Sequence, residues 1–189
     1  MKFVSGFIAA IIIALCGAAL VIHGRWYDVA ARGSQNPITA WVLRTTMVNS
    51  VRHQASGILP PDNLASRGAA GFQEFDEMCV QCHSAPGRER SAVGKGLRPD
   101  PPSLTNASER WSPSEIFWIV KNGIDMTGMP AFGPTHDDQT IWNIVALVSS
   151  LKTVTPEQYQ QMSSARGGTE HEHLEHSDEQ HDHAEHHHH

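Results

Sequence analysis

The sequence Cys79-Val80-Gln81-Cys82-His83 lies near the middle of this 189-residue chain. Its Cys-x-x-Cys-His spacing is typical of the covalent attachment of a c-type haem. The two intervening residues bring both sulfurs to one porphyrin edge, where the thiols add to the vinyl groups. The next residue then presents its imidazole to the iron. We therefore predict that Cys79 and Cys82 hold one haem c by thioether bonds and that His83 is the proximal ligand.

Three other interpretations fit these five residues: a redox dithiol, half of a zinc site or a chance match. A zinc site requires further ligands at suitable spacing, and the remaining cysteine, Cys16, lies in an apolar amino-terminal segment. A thioredoxin-like dithiol belongs to a strand-helix-strand pattern, which the surrounding sequence lacks. The downstream sequence has to decide between the alternatives.

A candidate for the second axial ligand lies in Gly128-Met129-Pro130-Ala131-Phe132-Gly133. Gly128 permits unusual backbone angles and Pro130 fixes its own, so we expect a rigid, irregular loop. A thioether sulfur favours ferrous iron, and a His/Met pair therefore raises the reduction potential relative to harder donors. Met129 is the predicted sixth ligand, and Met126 is its rival.

The haem motif and the Gly-Met-Pro loop together resemble those of class I c-type cytochromes, over about residues 66 to 155. The resemblance implies an all-α fold around one covalent haem c, with thioether bonds to Cys79 and Cys82. It implies axial iron ligation by His83 and Met129. It also implies an electron carrier of the membrane-anchored bacterial type, with redox proteins as partners.

The stretch from Gly94 to Leu104 contains too much glycine and proline for a regular element. In class I cytochromes such a stretch wraps the haem edge. By this resemblance, Arg98 is a candidate donor to a haem propionate. The Pro101-Pro102 pair is expected to pack beside His83.

Helical signals within residues 66–155 agree with an all-α domain, and no alternating strand pattern occurs. A first helix is predicted from Ser66 to Met78. Gly71, Phe75 and Cys79 follow one face at i+4 steps. In class I cytochromes, a glycine and an aromatic residue here let the first helix cross the last one closely.

Two further helices have clear sequence signals. One is predicted to begin at the capping box Ser112-Pro113-Ser114-Glu115 and to end at Asn122-Gly123. The last helix is predicted from about Asp137 to Lys152, where apolar residues recur with a 3.6-residue period. These residues are Ile141, Ile144, Val145, Val148 and Leu151. We expect Trp142 to be a core residue that covers the crossing with the first helix.

The amino terminus contains an apolar segment, Phe3–Ile22, of 20 residues without a charge. As a helix it would be about 30 Å long, which is enough to cross the hydrocarbon core. Arg25-Trp26-Tyr27 follows at interfacial depth. We predict that residues 1–24 are an uncleaved transmembrane anchor, with a signal peptide cleaved after Ala19 as the alternative. By the family resemblance, the haem domain lies on the periplasmic side of the bacterial cytoplasmic membrane.

Residues 25–65 are predicted to be a linker with one helix at about residues 37–56. Asn36-Pro37 is a typical helix start, and Pro60-Pro61 follows the expected end. The apolar face of this helix is imperfect because Arg52 lies on it. It therefore fits packing on the haem domain, on a partner or at lipid headgroups.

Residues 156–189 are predicted to be a disordered tail, acidic and histidine-rich from about residue 167. Nine of the thirteen histidines lie there, with seven acidic residues and no lysine or arginine. An expression tag is the alternative to a native segment that binds copper, zinc or nickel through imidazole. The candidate tail ligands are His171, His173, His181, His183, His186, His187, His188 and His189.

Composition and ligation limit the function. A six-coordinate haem leaves no open position for a substrate, and no Gly-x-Ser-x-Gly motif occurs, so we predict no enzymatic activity. Fourteen basic and thirteen acidic residues nearly balance within residues 1–166, and no basic patch indicates nucleic-acid binding. Three functions are predicted as alternatives: a single-electron carrier, a dedicated cytochrome subunit of a membrane oxidoreductase complex, and a haem protein with a metal-handling tail.

Overall fold

The computed structural model describes residues 2–24, 29–33 and 36–165 of the chain. The chain divides into two units, Met1–Gly33 and Ser34–His189. The secondary structure of the described residues is helical, and they form no β-strand. Of the predicted all-α fold, a mostly helical structure without strands is confirmed for these residues.

The first unit contains one long helix, α1 (Lys2–His23). By length and composition, Phe3–His23 is long and apolar enough to cross a membrane. A signal sequence near an amino terminus meets the same criteria. The choice between an anchor and a cleaved signal peptide therefore stays a prediction.

The second unit begins with α2 (Pro37–Ala55), followed by a helical run over residues 64–83 that we call α3. The helices that follow are α4 (Ala92–Gly96), α5 (Ala107–Arg110), α6 (Pro113–Asn122), α7 (Asp138–Ser150) and α8 over residues 156–165. A single 3₁₀ turn, Leu151–Thr153, extends α7.

The run α3 is longer and less regular than the helix predicted from Ser66 to Met78. It is 3₁₀ over Leu64–Gly71 and contains a wider π turn over Phe75–Cys79. A Cβ atom on Gly71 would lie 2.2 Å from the backbone oxygen of Asn143 in α7. The close crossing of the first and last helices, predicted at this glycine, is therefore confirmed.

Helix α6 begins and ends where its sequence predicts. The Ser112 hydroxyl accepts a hydrogen bond from Glu115 N at 3.3 Å, and the Glu115 carboxylate accepts one from Ser112 N at 2.7 Å. Gly123 ends the helix with a left-handed φ of +68°. Trp142 of α7 is buried as predicted, and its ring stacks on Phe117 of α6 at 4.2 Å.

Helix α8 corrects the prediction of a disordered tail from residue 156. Tyr159 is buried, with its ring centroid 5.2 Å from that of Phe72 and its hydroxyl donating to Asp76 Oδ1 at 2.6 Å. A ten-residue helix is marginal alone, but packing of this aromatic ring against α3 stabilises it. The tail from residue 166 onward lies outside the described residues.

The carboxyl-terminal part of α2 packs against α6, so α2 belongs to the compact second unit. Val51 and Ala55 are buried there. The Ser114 hydroxyl of α6 also donates to the carbonyl of Ile58, just after α2, at 2.8 Å. Of the three surroundings predicted for this helix, packing on the haem domain is therefore confirmed for its carboxyl-terminal part.

Candidate haem site

The two cysteines of the haem motif lie at the end of α3. Cys79 is buried and Cys82 is half-buried. Burial, reinforced by the neighbouring Cys82, raises the pKa of the Cys79 thiol to about 12. Because a reactive thiol has a lowered pKa, this burial disfavours Cys79 as the attacking thiol of a redox dithiol.

The imidazole of His83 is oriented by a backbone carbonyl. Its Nδ1 lies 2.8 Å from the oxygen of Pro102. Because a carbonyl can only accept a hydrogen bond, Nδ1 carries the proton and Nε2 keeps its lone pair for a metal. Burial lowers the pKa of His83; the Pro102 hydrogen bond partly opposes this, and the nearby Arg90 cation adds to it. The lowered pKa therefore favours the neutral ring, which is the form that ligates iron.

The glycine- and proline-rich stretch packs directly on the haem motif. A Cβ atom on Gly94 would lie 2.7 Å from the backbone oxygen of Cys82, and the Ser91 hydroxyl donates to Gln81 O at 2.5 Å. The expected proximity of Pro101-Pro102 to His83 is found, as the hydrogen bond to Pro102.

Arg98, the candidate propionate donor, is tied to its own loop. Its Nη1 donates to the carbonyl of Leu97 at 2.7 Å and to Asp100 Oδ1 at 2.5 Å. The same nitrogen lies 3.2 Å from the carbonyl of Lys95. These bonds give the guanidinium a structural role, and its contact with a propionate stays a prediction.

The two candidate methionines differ in their surroundings. Met129 is half-buried and packs against the apolar core, whereas Met126 is 89 % exposed. The Thr127 hydroxyl accepts a hydrogen bond from Met129 N at 3.1 Å, and the Met129 carbonyl accepts one from Ile124 N at 3.2 Å. These contacts favour Met129 as the sulfur ligand.

The methionine loop is held against two other parts of the domain. Phe132 N donates to Val120 O and Gly133 N donates to Lys121 O, which ties the loop to α6. A Cβ atom on Gly128 would lie 2.7 Å from Leu97 Cδ2. Leu97 follows the haem motif in the chain, so this contact brings the two predicted halves of the site into one region.

The donor set fits a c-type haem. It offers two thiols, a neutral imidazole with a free Nε2, and a half-buried thioether. The zinc interpretation lacks support, because no three His, Cys, Asp or Glu residues in the described parts of the chain are grouped to hold a metal ion. The candidate tail ligands, His171 to His189, lie outside the described residues.

The candidate ligands are supported by three residues, Pro102, Leu97 and Thr127. Of these, the sequence predicts only Pro102 as a neighbour of the site. Pro102 acts through its backbone oxygen, which has no side-chain signature. The side chain of Leu97 packs against Gly128. The sequence does contain one signal for Thr127. A threonine two residues before the ligand can accept a hydrogen bond from the ligand's own backbone N–H.

A comparison with protein families agrees with this geometry. The family model described as cytochrome C oxidase, cbb3-type, subunit III matches residues 64–148. No curated protein matches the chain. The matched segment runs from α3 to α7 and includes both predicted halves of the haem site. This match supports a class I c-type cytochrome domain in residues 64–148 of the protein.

Proposed function

We propose that this protein is a membrane-anchored, mono-haem c-type cytochrome that transfers single electrons between redox partners. The observation that carries the proposal is the geometry of His83. Its imidazole lies at the end of the cysteine helix, held by Pro102 O with Nε2 free. In a c-type cytochrome domain, this arrangement serves to present a neutral nitrogen to iron.

Haem c, when bound, supplies an iron centre that accepts and releases one electron. The chain's own residues do the remaining work. Cys79 and Cys82 would hold the haem covalently, and His83 and Met129 would be the ligands of its iron. The apolar core excludes water, which limits the reorganisation that accompanies electron transfer. With two protein ligands on the iron, the site would offer no open position for a substrate.

An electron carrier of this kind has a direct optical test. Spectra of isolated membranes, oxidised and then reduced, should contain a c-type haem signal that titrates as a single one-electron couple. The same signal should be absent from membranes of a strain that lacks the protein. A protein that carries no c-type signal, or that titrates in two steps, contradicts the proposal.

The proposed location is the cytoplasmic membrane, with the haem domain in the periplasm. Support comes from the length and apolarity of α1. Amino-terminal sequencing of the mature membrane protein should begin at residue 1 or 2, and protease added to the periplasmic side should release the haem domain. A mature amino terminus near residue 20 would instead identify a cleaved signal peptide.

A dedicated cytochrome subunit of a membrane oxidoreductase complex is the second candidate function. The match to a family described as subunit III of a cbb3-type oxidase favours it. After mild solubilisation, the haem should then migrate with larger proteins in native electrophoresis. Migration of the cytochrome alone supports an independent carrier.

Metal binding by the tail is a separate proposal, supported by the nine histidines from His171 to His189. Only the unprotonated imidazole binds a metal, so we expect an affinity that falls as the histidines protonate near pH ~6.5. Calorimetric titration with copper, zinc or nickel should show greater uptake by the full chain than by a truncation after Arg166. Equal uptake by both proteins removes this function.

A further inference from the structure

The two ends of α2 have different surroundings. Its carboxyl-terminal part buries Val51 and Ala55 against the rest of the second unit, whereas its amino-terminal part is exposed. Residues 36–165 expose seven large apolar side chains. Four of them fall within six consecutive positions of α2: Ile38, Trp41, Val42 and Leu43. The amino-terminal part of α2 is therefore the largest local concentration of exposed apolar residues in that range.

Three of these residues form a continuous stripe. Ile38, Trp41 and Val42 are spaced i, i+3 and i+4, so they project from the same face of the helix. They are 72 %, 67 % and 45 % exposed. Apolar residues scattered singly are normal on a protein surface, whereas a contiguous apolar patch marks an interaction site. The stripe, which includes a tryptophan, is such a patch.

The charge of α2 distinguishes between possible occupants. Pro37–Ala55 contains Arg44, Arg52 and His53 and no aspartate or glutamate. A helix with arginines and an exposed tryptophan-containing stripe is complementary to anionic lipid headgroups above an apolar layer. A second copy would bring two such cationic helices together, which Coulomb repulsion disfavours.

The chain also holds α2 near the apolar helix α1. Residues 24–36, thirteen in number, separate the end of α1 from the start of α2. Fully extended, they span at most about 45 Å. If α1 crosses a membrane, this tether keeps the exposed stripe at a high effective concentration near the same bilayer surface. Even a weak contact between the stripe and the lipid is then formed for much of the time.

We propose that the amino-terminal part of α2 docks into the headgroup region of the bilayer that α1 spans, with Ile38, Trp41 and Val42 facing the lipid. This inference rests on the proposed membrane anchor. Tryptophan suits this position because its ring is apolar and its indole N–H can reach water or headgroups. Of the two arginines of α2, Arg44 is the nearer to this end and would lie close to the lipid phosphates, whereas Arg52 pairs with Glu115.

Docking would fix the orientation of the haem domain relative to the membrane. Helix α2 is joined to α6 by its buried end and by the ion pair of Arg52 Nε with Glu115 Oε1 at 3.7 Å. The Ser114 hydroxyl bond to Ile58 O adds a second connection just after the helix. A domain held in this way exchanges electrons with partners in or on the membrane more readily than with distant soluble ones.

Spin labels on the haem-loaded full chain can test the contact. The background variant is Cys16→Ser, which should take up no label because the two remaining cysteines are bonded to haem. Labels are placed by Ile13→Cys in α1, Val42→Cys in the stripe and Ser50→Cys on an exposed part of α2 away from the stripe. The protein is studied in nanodiscs that contain anionic phospholipid.

Collision rates with oxygen, which concentrates in lipid, and with a water-soluble nickel chelate report the surroundings of each label. We expect nickel collisions at position 42 to be several-fold slower than at position 50, with position 13 protected from nickel altogether. Trp41→Glu should restore nickel access at position 42, and the matched charge change Ser50→Glu should not.

The outcomes separate this proposal from the anchor. Free nickel access at position 42 with protection at position 13 overturns the docking and leaves the anchor in place. Free nickel access at position 13 overturns the anchor, and the docking falls with it. A label at position 42 that is shielded from oxygen as well as nickel indicates protein contact, which also overturns the lipid proposal.

Discussion

The two halves of the haem site are held by different means. The cysteine and histidine half ends α3, which crosses α7 in backbone contact at Gly71. The methionine half is a loop held by single hydrogen bonds, among them Met129 N to Thr127 Oγ1 and Gly133 N to Lys121 O. The first half is part of the core, whereas the second is a loop whose Met129 is only half-buried against that core.

This difference predicts two separate kinds of failure. A close helix crossing cannot loosen without loss of packing across the domain. A typical hydrogen bond contributes only about 0.5–1.5 kcal/mol net, so the loop can lose its ligand geometry while the domain stays folded. Haem attachment should therefore follow global stability, whereas the reduction potential should respond to local changes in the loop.

The largest effect is expected at the helix crossing. Gly71→Ala places a Cβ atom 2.2 Å from Asn143 O, which forces α3 and α7 apart. We expect the free energy of unfolding to fall by about 3 kcal/mol, since overpacking in a core has effects of that size. Denaturant unfolding and the yield of haem-loaded protein would measure it.

Gly68→Ala is the matched control in the same helix. Its Cβ atom would meet Leu147 Cα at 3.6 Å, an ordinary contact. Equal losses of stability in the two variants would mean that α3 does not depend on the crossing.

The ligand itself should give the next largest effect. Met129→Ala should abolish the far-red sulfur-to-iron charge-transfer band and lower the reduction potential, because the thioether no longer stabilises ferrous iron. Met126→Ala is the control, and the exposure of that side chain predicts an unchanged band. The reverse pattern would assign the ligand to Met126.

A smaller change is expected from the support of the loop. Thr127→Val removes the acceptor for Met129 N and the hydroxyl that donates to Ile124 O at 2.7 Å. We expect a weakened charge-transfer band and a loss of about 1 kcal/mol in unfolding free energy. Thr127→Ser should restore both. A band unaffected by the valine would show that packing alone holds the loop.

The smallest effect concerns α8 and is revealed by pH. Burial, followed by the hydrogen bond to Asp76 and its negative charge, raises the pKa of Tyr159. A raised pKa in the folded state means that stability is complete below the unfolded value of about 10 and declines as pH rises above it. Tyr159→Phe should lower stability by about 0.5–1 kcal/mol at neutral pH.

The same variant should lack the loss of stability at alkaline pH that is due to Tyr159. Thermal unfolding between about pH 8 and pH 11, the range in which tyrosine titrates, measures this loss. An alkaline decline that is identical in wild type and Tyr159→Phe would assign it to other groups.

Local signals in the sequence predict much of this fold. The capping box at Ser112 and Glu115 specifies the start of α6 through two hydrogen bonds within four residues. Gly71 specifies the helix crossing because a side chain has no room there. These features succeed as predictions because their physical causes lie within the pattern itself.

Other features depend on contacts between distant residues. Tyr159 reaches Asp76, which lies 83 positions earlier, and α8 owes its stability to that packing. From composition alone, residues 156–165 are assigned to the polar tail that follows them. The π turn at Phe75–Cys79 likewise has no local signature, because its i+4 spacing of apolar residues fits an ordinary α-helix. The carbonyl of Pro102 is a backbone group, and no residue type reveals it.

Mass measurement of the denatured chain tests the central claim most directly. After acid-acetone treatment, wild-type protein from membranes should retain one haem on each polypeptide, and Cys82→Ser should lose stable attachment because one thioether bond is missing. Polypeptide of unmodified mass, with all haem in the extract, would contradict covalent attachment through Cys79 and Cys82.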